Sequence, residues 1–338
     1  MIKDQGNINK CSVIIPVFNG ESYIKPAYNE IIRQEIKLPF ELIFVDNNST
    51  DNSKSEIKDI IAQDNRVHLF RAKTQGAGAA RNKGIEEATG NFIYFFDVDD
   101  RLFPDAINVL IEILVKYPNL DSVFGDLTRD IYQLENFITK GDIYNPKQIQ
   151  KPKQGLLWFT HFSKLVGPPA FLHRKKVFDD IGFFPEEILI GEDAAFHIRL
   201  GLFKNIGYVN RLVYFYNRHP DSTVSRIHNK QDYLYTYWEQ YVKHYIPYYQ
   251  NHERLEIFKT ILKRKVFASF VKMIKRKQGF KSRQQLNTRL KAEISPLNIP
   301  IWLQFLISIL VLSASDFVLK IALKLIVKSY KTNFSVVK

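Results

Sequence analysis

The strongest constraint on this chain is an alternation. Through the first 130 residues, short apolar runs rich in β-branched and aromatic side chains trade places with segments of helical spacing. Ser12–Phe18, Glu41–Asp46, Val67–Ala72 and Asn91–Asp97 have the length, composition and turn-rich borders of buried strands. Helical spacing covers Glu21–Gln34, Asn52–Ala62, Ala77–Ala88 and Pro104–Tyr117. Such alternation calls for right-handed crossovers and a mainly parallel sheet, so the fold class is α/β. Sheets of that kind bind ligands outside the carboxyl ends of their strands. Polar clusters follow those ends here: Asp46 closes one run and Asp97 another.

From about Asp130 to Phe184 the pattern gives way to mixed loops containing Pro152, Pro168 and Pro169. A helix restarts over Glu192–Phe203, and a strand-like run follows at Tyr208–Tyr216. After about residue 230 the composition shifts to long, basic, aromatic helical stretches. The expected organisation is therefore a body over 1–230 and a helical, basic region over 231–338.

Charge sharpens that division. The chain of 338 residues carries a formal net charge of +13, and residues 231–338 hold 19 Lys and Arg against 6 Asp and Glu. All of the basic excess thus sits in the last third, where it suits an anionic partner, either nucleic acid or a membrane surface. A neutral body with a cluster of acids would repel a polyanion, so nucleic acid is not the expected partner. One cysteine, Cys11, excludes an internal disulfide and any multi-cysteine metal site. The first ten residues lack an apolar h-region, so no secretory signal is expected and a reducing, cytoplasmic compartment is.

Five clusters are candidates for chemistry, and each has a plainer explanation. Asp46 opens the run Asp46-Asn47-Asn48-Ser49-Thr50-Asp51, which can be a strand end with an Asx turn and a helix cap, or a carboxylate that binds a base or ribose. Gly76-Ala77-Gly78-Ala79-Ala80-Arg81 follows the third strand instead of the first, with Arg81 where a dinucleotide fingerprint needs glycine. That weakens a nicotinamide enzyme and leaves a small-residue helix start whose arginine suits a diphosphate, or a tightly packed helix. Asp97-Val98-Asp99-Asp100 places three mutually repelling acids after an apolar strand, a set that favours a hard divalent cation with phosphate over a simple cap. Glu192 and Asp193 at a helix start can be ordinary dipole complements. His219, in a polar turn, can be a solvated side chain or a metal ligand.

Taken in order, SVIIPVFNG, ELIFVDNNSTDNS, QGAGAARNKGI, GNFIYFFDVDD, GED and YNRHPDSTVS resemble the family 2 glycosyltransferases, inverting enzymes of the GT-A fold. The resemblance spans residues 11–225 and is far more specific than any single motif. It implies a nucleoside-diphosphate sugar donor, typically UDP-linked, a saccharide or lipid-linked acceptor in bacterial surface-polysaccharide assembly, and Mn²⁺ or Mg²⁺. By position it implies that Pro16, Phe18 and Asn19 border the nucleotide pocket and that Asp46 bonds the base. Gly76 and Arg81 then meet the donor diphosphate, Asp97 and Val98 lie by the ribose, and Asp99 and His219 hold the metal. Asp193 falls where the family keeps its catalytic base. The Q-x-x-R-W signature of processive synthases is missing, which implies one sugar added per encounter.

In the basic region, Ile301–Leu312 is apolar for twelve residues, short of the twenty or so a spanning helix needs. Lys320, Lys324, Lys328 and Lys331 then recur at helical spacing among apolar residues, as in a helix lying on an anionic membrane, peripheral on the inner face. Lys263–Lys277 has the same mixed character. The alternative is a helical subdomain packed on the body or on a second protomer, so an oligomer is possible. The tyrosine-rich run Tyr233–Tyr249 suits either acceptor stacking or helix packing.

Overall fold

A computed structural model describes residues 9–138, 144–217, 233–250 and 252–332. The chain divides into two compact units, Met1–Pro220 and Asp221–Lys338.

In the first unit nine described strands form one sheet: β1 (Cys11–Val17), β2 (Phe40–Asp46), β3 (Val67–Arg71), β4 (Phe92–Phe95), β5 (Arg101–Leu102), β6 (Ser122–Thr128), β7 (Lys147–Ile149), β8 (Phe171–Arg174) and β9 (Ile206–Phe215). Their order is β3-β2-β1-β4-β8-β6-β9-β5, and β7 also pairs with β9. The longer ladders, β1–β2, β2–β3, β1–β4 and β6–β9, are parallel. Helices α1 (Glu21–Ile32), α2 (Ser53–Ile61) and α3 (Ala77–Glu87) make the crossovers, and α4 (Ala106–Lys116) follows β5. The expected α/β architecture is therefore present.

Four strands, β5, β6, β7 and β8, lie where sequence patterning sees loops or nothing, and β6 and β8 show why. β6 contains Gly125 and Asp126, which blur its apolar run. β8 has only four residues after Pro168 and Pro169, and it is recruited by its neighbours: it runs antiparallel between β4 and β6. Pairing on both edges, not intrinsic propensity, makes it a strand.

The β1–β2 ladder continues to Val17 and Asp46, but the β1–β4 ladder stops at Ile14 and Phe95. Ile14 accepts the last bond on that side, from the Phe96 amide at 3.0 Å. The next β1 donor facing β4 would be residue 16, and Pro16 has no N–H. A crevice opens at this point, where chain order runs out to β2 and β3 and then returns to β4 on the other side of β1. Behind it, Gly84 of α3 sits so close to β1 that a Cβ there would lie 2.3 Å from Ile14 Cγ2.

Helix α8 (Glu192–Phe203) is seated by an equally close crossing with α6 (Lys153–Thr160). A Cβ on Gly155 would lie 2.4 Å from the Leu202 amide nitrogen, and one on Gly201 2.4 Å from that of Gly155. On its core side, α8 places His197 3.9 Å from the Phe171 ring, nearly parallel to it. His173 stacks on the same phenylalanine at 5.5 Å and shares a 2.9 Å hydrogen bond with the Ser122 hydroxyl. Cys11 is wholly buried, and burial pushes its thiol up to about 12, so it is unreactive.

The second unit is helical: Glu256–Arg276, Phe280–Glu293, Ile301–Ser313 and Asp316–Ser329 follow a helical stretch over Tyr233–Tyr249 with a π segment at Tyr241–Tyr245. Trp238, Tyr241, Tyr245 and Tyr249 are buried in this unit, so packing accounts for the buried part of the tyrosine run. The helix Glu256–Arg276 likewise spends its apolar side, Phe258, Leu262, Phe267 and Phe270 among it, on the unit's core. The apolar run after Ile301 breaks at Ala314, which is left-handed, and Ser315 caps the next helix through the Val318 amide. Buried Arg283 closes the first of these helices by donating to the carbonyls of Val311 and Leu312 at 2.7 and 3.1 Å. Among the described residues no helix is long and apolar enough to cross a membrane.

The two buried histidines set an acid limit on stability. Burial lowers His173 to about 3 and also pulls His197 down. The unfolded chain takes up these protons from about pH 6.5 downward while the folded chain refuses them, so stability falls as pH drops through that window. At pH 5 one such group accounts for about 2 kcal/mol. Urea unfolding at pH 7.5 and 5.0 should show a smaller loss for His173→Leu than for the unaltered chain; equal losses would contradict the assignment.

Candidate active site

The crevice is walled by loops that are zipped together by short polar side chains. After β1, Asn19 adopts a left-handed backbone (φ 49°), and its Oδ1 accepts from the Thr50 amide at 2.8 Å. Its own amide donates to Ser49 Oγ at 3.1 Å, and the Gly20 amide donates to Ser53 Oγ at 3.0 Å. Asp51 accepts from the Glu21 amide and from the Ser53 hydroxyl, so it tethers both helix starts. Phe18, next to this knot, is 41% exposed. A phenylalanine left that open beside a polar crevice offers a flat apolar face to a ring.

Asp46 ends β2 and is 1% exposed. Its Oδ1 accepts from the Ser49 amide at 3.0 Å, three residues on and so one beyond the span of the Asx turn its sequence context suggested. Its Oδ2 lies 3.3 Å from Lys54 Nζ but has no hydrogen-bond partner among the described residues. A buried carboxylate oxygen without a hydrogen bond is costly and invites a donor. Asn47, which sequence reasoning passed over, holds the next wall: its Oδ1 accepts from the Gly76 amide at 2.7 Å and its Nδ2 donates to the Thr74 carbonyl at 2.8 Å. Gly76 has φ 136°, a backbone conformation that favours glycine, and it starts α3.

Arg81, one turn into α3, is the electrostatic centre. Its Nη1 donates to Glu192 Oε1 and its Nη2 to Asp97 Oδ1, each at 2.8 Å. Its guanidinium carbon lies 5.5 Å from the Phe184 ring centre. The two carboxylates hold this buried guanidinium firmly protonated against the cost of burial. Asn82 beside it fastens the loop before α8: it donates to the Phe184 carbonyl (2.9 Å) and Glu186 (2.8 Å), and accepts from the Phe184 amide (2.9 Å). The Arg81-Asn82 pair was legible as an arginine only; the asparagine's part is visible once the loop is in place.

Among the acids after β4, Asp97, Val98 and Asp99 are half-buried and Asp100 is buried. Asp100 accepts from the Asn217 amide at 3.0 Å and ties β4's end to the end of β9. Burial, Asp97 and Asp99 push its carboxyl well up, and its bond to Asn217 makes it a structural tie. At the start of α8, Glu192 is buried on Arg81, while half-buried Asp193 accepts from the Ala194 amide at 2.7 Å. Burial and Asp193 push Glu192 up to about 7, with Arg81 opposing. Burial raises Asp193 as well. Arg81 thus gathers Asp97, Glu192 and, through its charge, Asp193, while Asp46 closes β2 at the same carboxyl end of the sheet. Pro16 lies near the end of β1, and Phe18, Asn19, Gly76 and Val98 lie in the segments that follow the strands. Arg129, just past the end of β6, stands 5.2 Å over the Tyr216 ring. His219 lies outside the described residues.

Residues 12–182 match the family described as glycosyl transferase family 2. An uncharacterized glycosyltransferase of Haemophilus influenzae is 38% identical over 203 residues, covering 58% of this chain and 81% of that protein. One of Rickettsia conorii is 29% identical over 221 residues, or 62% of this chain, which spans about a third of that protein's length. The structure of Staphylococcus aureus TarS 1–349 in complex with UDP-GlcNAc superimposes with a TM-score of 0.61 at 17% identity, over 97% of this chain and 95% of that one, so the fold is GT-A-like. With half of its length inside the family match, the chain belongs to glycosyl transferase family 2.

Proposed function

We propose that this chain transfers one sugar per encounter from a UDP-linked donor to a hydroxyl of a saccharide or lipid-linked acceptor, inverting the anomeric configuration, in surface-glycan assembly. The observation that carries this reading is the convergence of Asp46, Arg81, Asp97 and Asp193 on the crevice at the sheet's switch point. Asp46 Oδ2, lacking a hydrogen bond, suits the N–H of a uracil. Pro16, Phe18 and Asn19 border the base, Gly76 lets the backbone approach the diphosphate, and Asp97 and Val98 border the ribose. Arg81 is engaged by two carboxylates, so its charge acts on the diphosphate from behind Asp97. That the TarS fragment was solved with UDP-GlcNAc supports a UDP-linked donor.

The family implies a divalent cation. Hard oxygen donors suit Mg²⁺ or Mn²⁺, and such ions take one or two carboxylates with the substrate's phosphates in place of a closed protein cage. The described residues fit that mode: half-buried Asp97 and Asp99 supply carboxylate oxygens just past the end of β4. Asp99 would hold the ion, with His219 as a second candidate. When bound, the ion neutralises charge on the departing diphosphate. Asp193 takes the proton from the acceptor hydroxyl as it attacks the anomeric carbon from the face opposite the diphosphate. A single displacement inverts the centre, and no covalent sugar–enzyme species is needed.

For the basic unit, whose limits we place at 231–338 beside a catalytic 1–230, we propose contact with an anionic membrane, peripherally and on its cytoplasmic face. Ile301, Phe305 and Leu312 lie 86%, 66% and 66% exposed along one face of their helix. Phe317 is 72% exposed on the next, beside exposed Lys320, Lys324 and Lys328. Apolar anchors flanked by lysines are what an interfacial helix presents to acidic lipid, each lysine adding about 1 kcal/mol.

Two outcomes follow. Asp193→Asn keeps shape and removes basicity, so UDP affinity should persist while sugar transfer falls roughly 10²–10⁴-fold; near-normal transfer would remove Asp193 as base. Co-sedimentation with phosphatidylglycerol vesicles should fall for the full chain carrying Phe305→Asp and Phe317→Asp, and equal partitioning would favour helix packing against protein instead.

A further inference from the structure

Glu192 has a geometry unlike that of a group waiting for a substrate. Its carboxylate is tied to Arg81 Nη1 at 2.8 Å, and its side chain is wedged against α3. A Cβ on Gly78 would lie 3.2 Å from Glu192 Cγ and 3.1 Å from the Pro185 carbonyl, so the glycine is what lets Glu192 reach the guanidinium. The other arm of the same guanidinium holds Asp97 at 2.8 Å. Arg81 Nε has no hydrogen-bond partner among the described residues, so two carboxylates carry the whole tether. One cation therefore ties the start of α8 to the end of β4, two elements far apart in sequence.

We propose that Glu192 is a positioning residue: it anchors Arg81 between Asp97 and the start of α8, and so sets the place of Asp193. The inference rests on Asp193 being the base. Adjacent helical residues point about 100° apart, so with Glu192 turned to Arg81 the next side chain faces elsewhere.

Glu192→Gln and Glu192→Leu separate the possibilities, because a glutamine oxygen still accepts from Nη1 and leucine does not. The readout is UDP release by the full chain from UDP-glucose, UDP-galactose, UDP-GlcNAc and UDP-GalNAc between pH 5 and 9, with UDP affinity measured by calorimetry. The Gln variant should keep kcat within about tenfold at pH 8, because it keeps the anchor on Arg81. The Leu variant should lose on the order of 100-fold in kcat with UDP affinity changed less than about threefold. A Gln variant as inactive as Asp193→Asn would make Glu192 the base and overturn the proposal. A Leu variant that keeps kcat within about tenfold of the unaltered chain, with Asp193→Asn inactive, would overturn the positioning role alone. Turnover of none of the four donors by the unaltered chain would overturn the transferase reading and this inference with it.

Discussion

Past Ile14 and Phe95 the two central strands cease to share hydrogen bonds, and the site is built in the gap that opens. The cause is local: the next donor on that side of β1 falls on Pro16. β1 keeps its partnership with β2 for three more residues, which carries Asp46 to the rim, while β4 is released into the acidic turn that holds Asp97 and Asp99. The loops that wall this gap are fixed by side chains with little entropy to lose. Asn19, Asn47, Ser49, Asp51 and Ser53 all hydrogen-bond to backbone amides or to one another, joining the loops after β1, β2 and β3. A binding crevice with preset walls spares much of the ordering cost that a flexible site incurs on binding.

Charge inside the crevice is arranged around one buried cation. Arg81 is 5% exposed and meets two carboxylates with parallel short bonds. Breaking such a pair leaves a buried charge without compensation, which costs far more than the pair contributes when intact. Asp100, bonded to a backbone amide, is pushed well up by burial and by Asp97 and Asp99, and it ties two strand ends. Glu192 and Asp193, one residue apart, receive different surroundings from the turn of the helix.

Much of this was legible in the sequence. Strand–helix alternation predicted β1 to β4 and α1 to α4 within a few residues, because each run has the period its element demands. Asp46, Arg81, Asp97 and Asp193 were marked by position after strands or at helix starts. What escaped was set by pairing at long range. β8 exists because two neighbours offer it hydrogen bonds, and β6 hides behind Gly125 and Asp126. Asn47 looks like a turn residue and Asn82 like one more helix position until the loops they bind, near Gly76 and Phe184, come within 3 Å. Arg81 was expected to meet the diphosphate directly. Its two carboxylate partners lie 16 and 111 residues away, at distances no local pattern reports.

The central claim is that the opening beyond Pro16 is a nucleotide-sugar site whose base is read by Asp46. Calorimetric titration of the full chain with UDP, with and without Mn²⁺, tests it most directly when run beside Asp46→Ala. The account predicts saturable UDP binding that Mn²⁺ strengthens and that Asp46→Ala weakens by about tenfold, the loss of a charge-assisted hydrogen bond, with the fold unchanged. Equal affinity in the two proteins would contradict it.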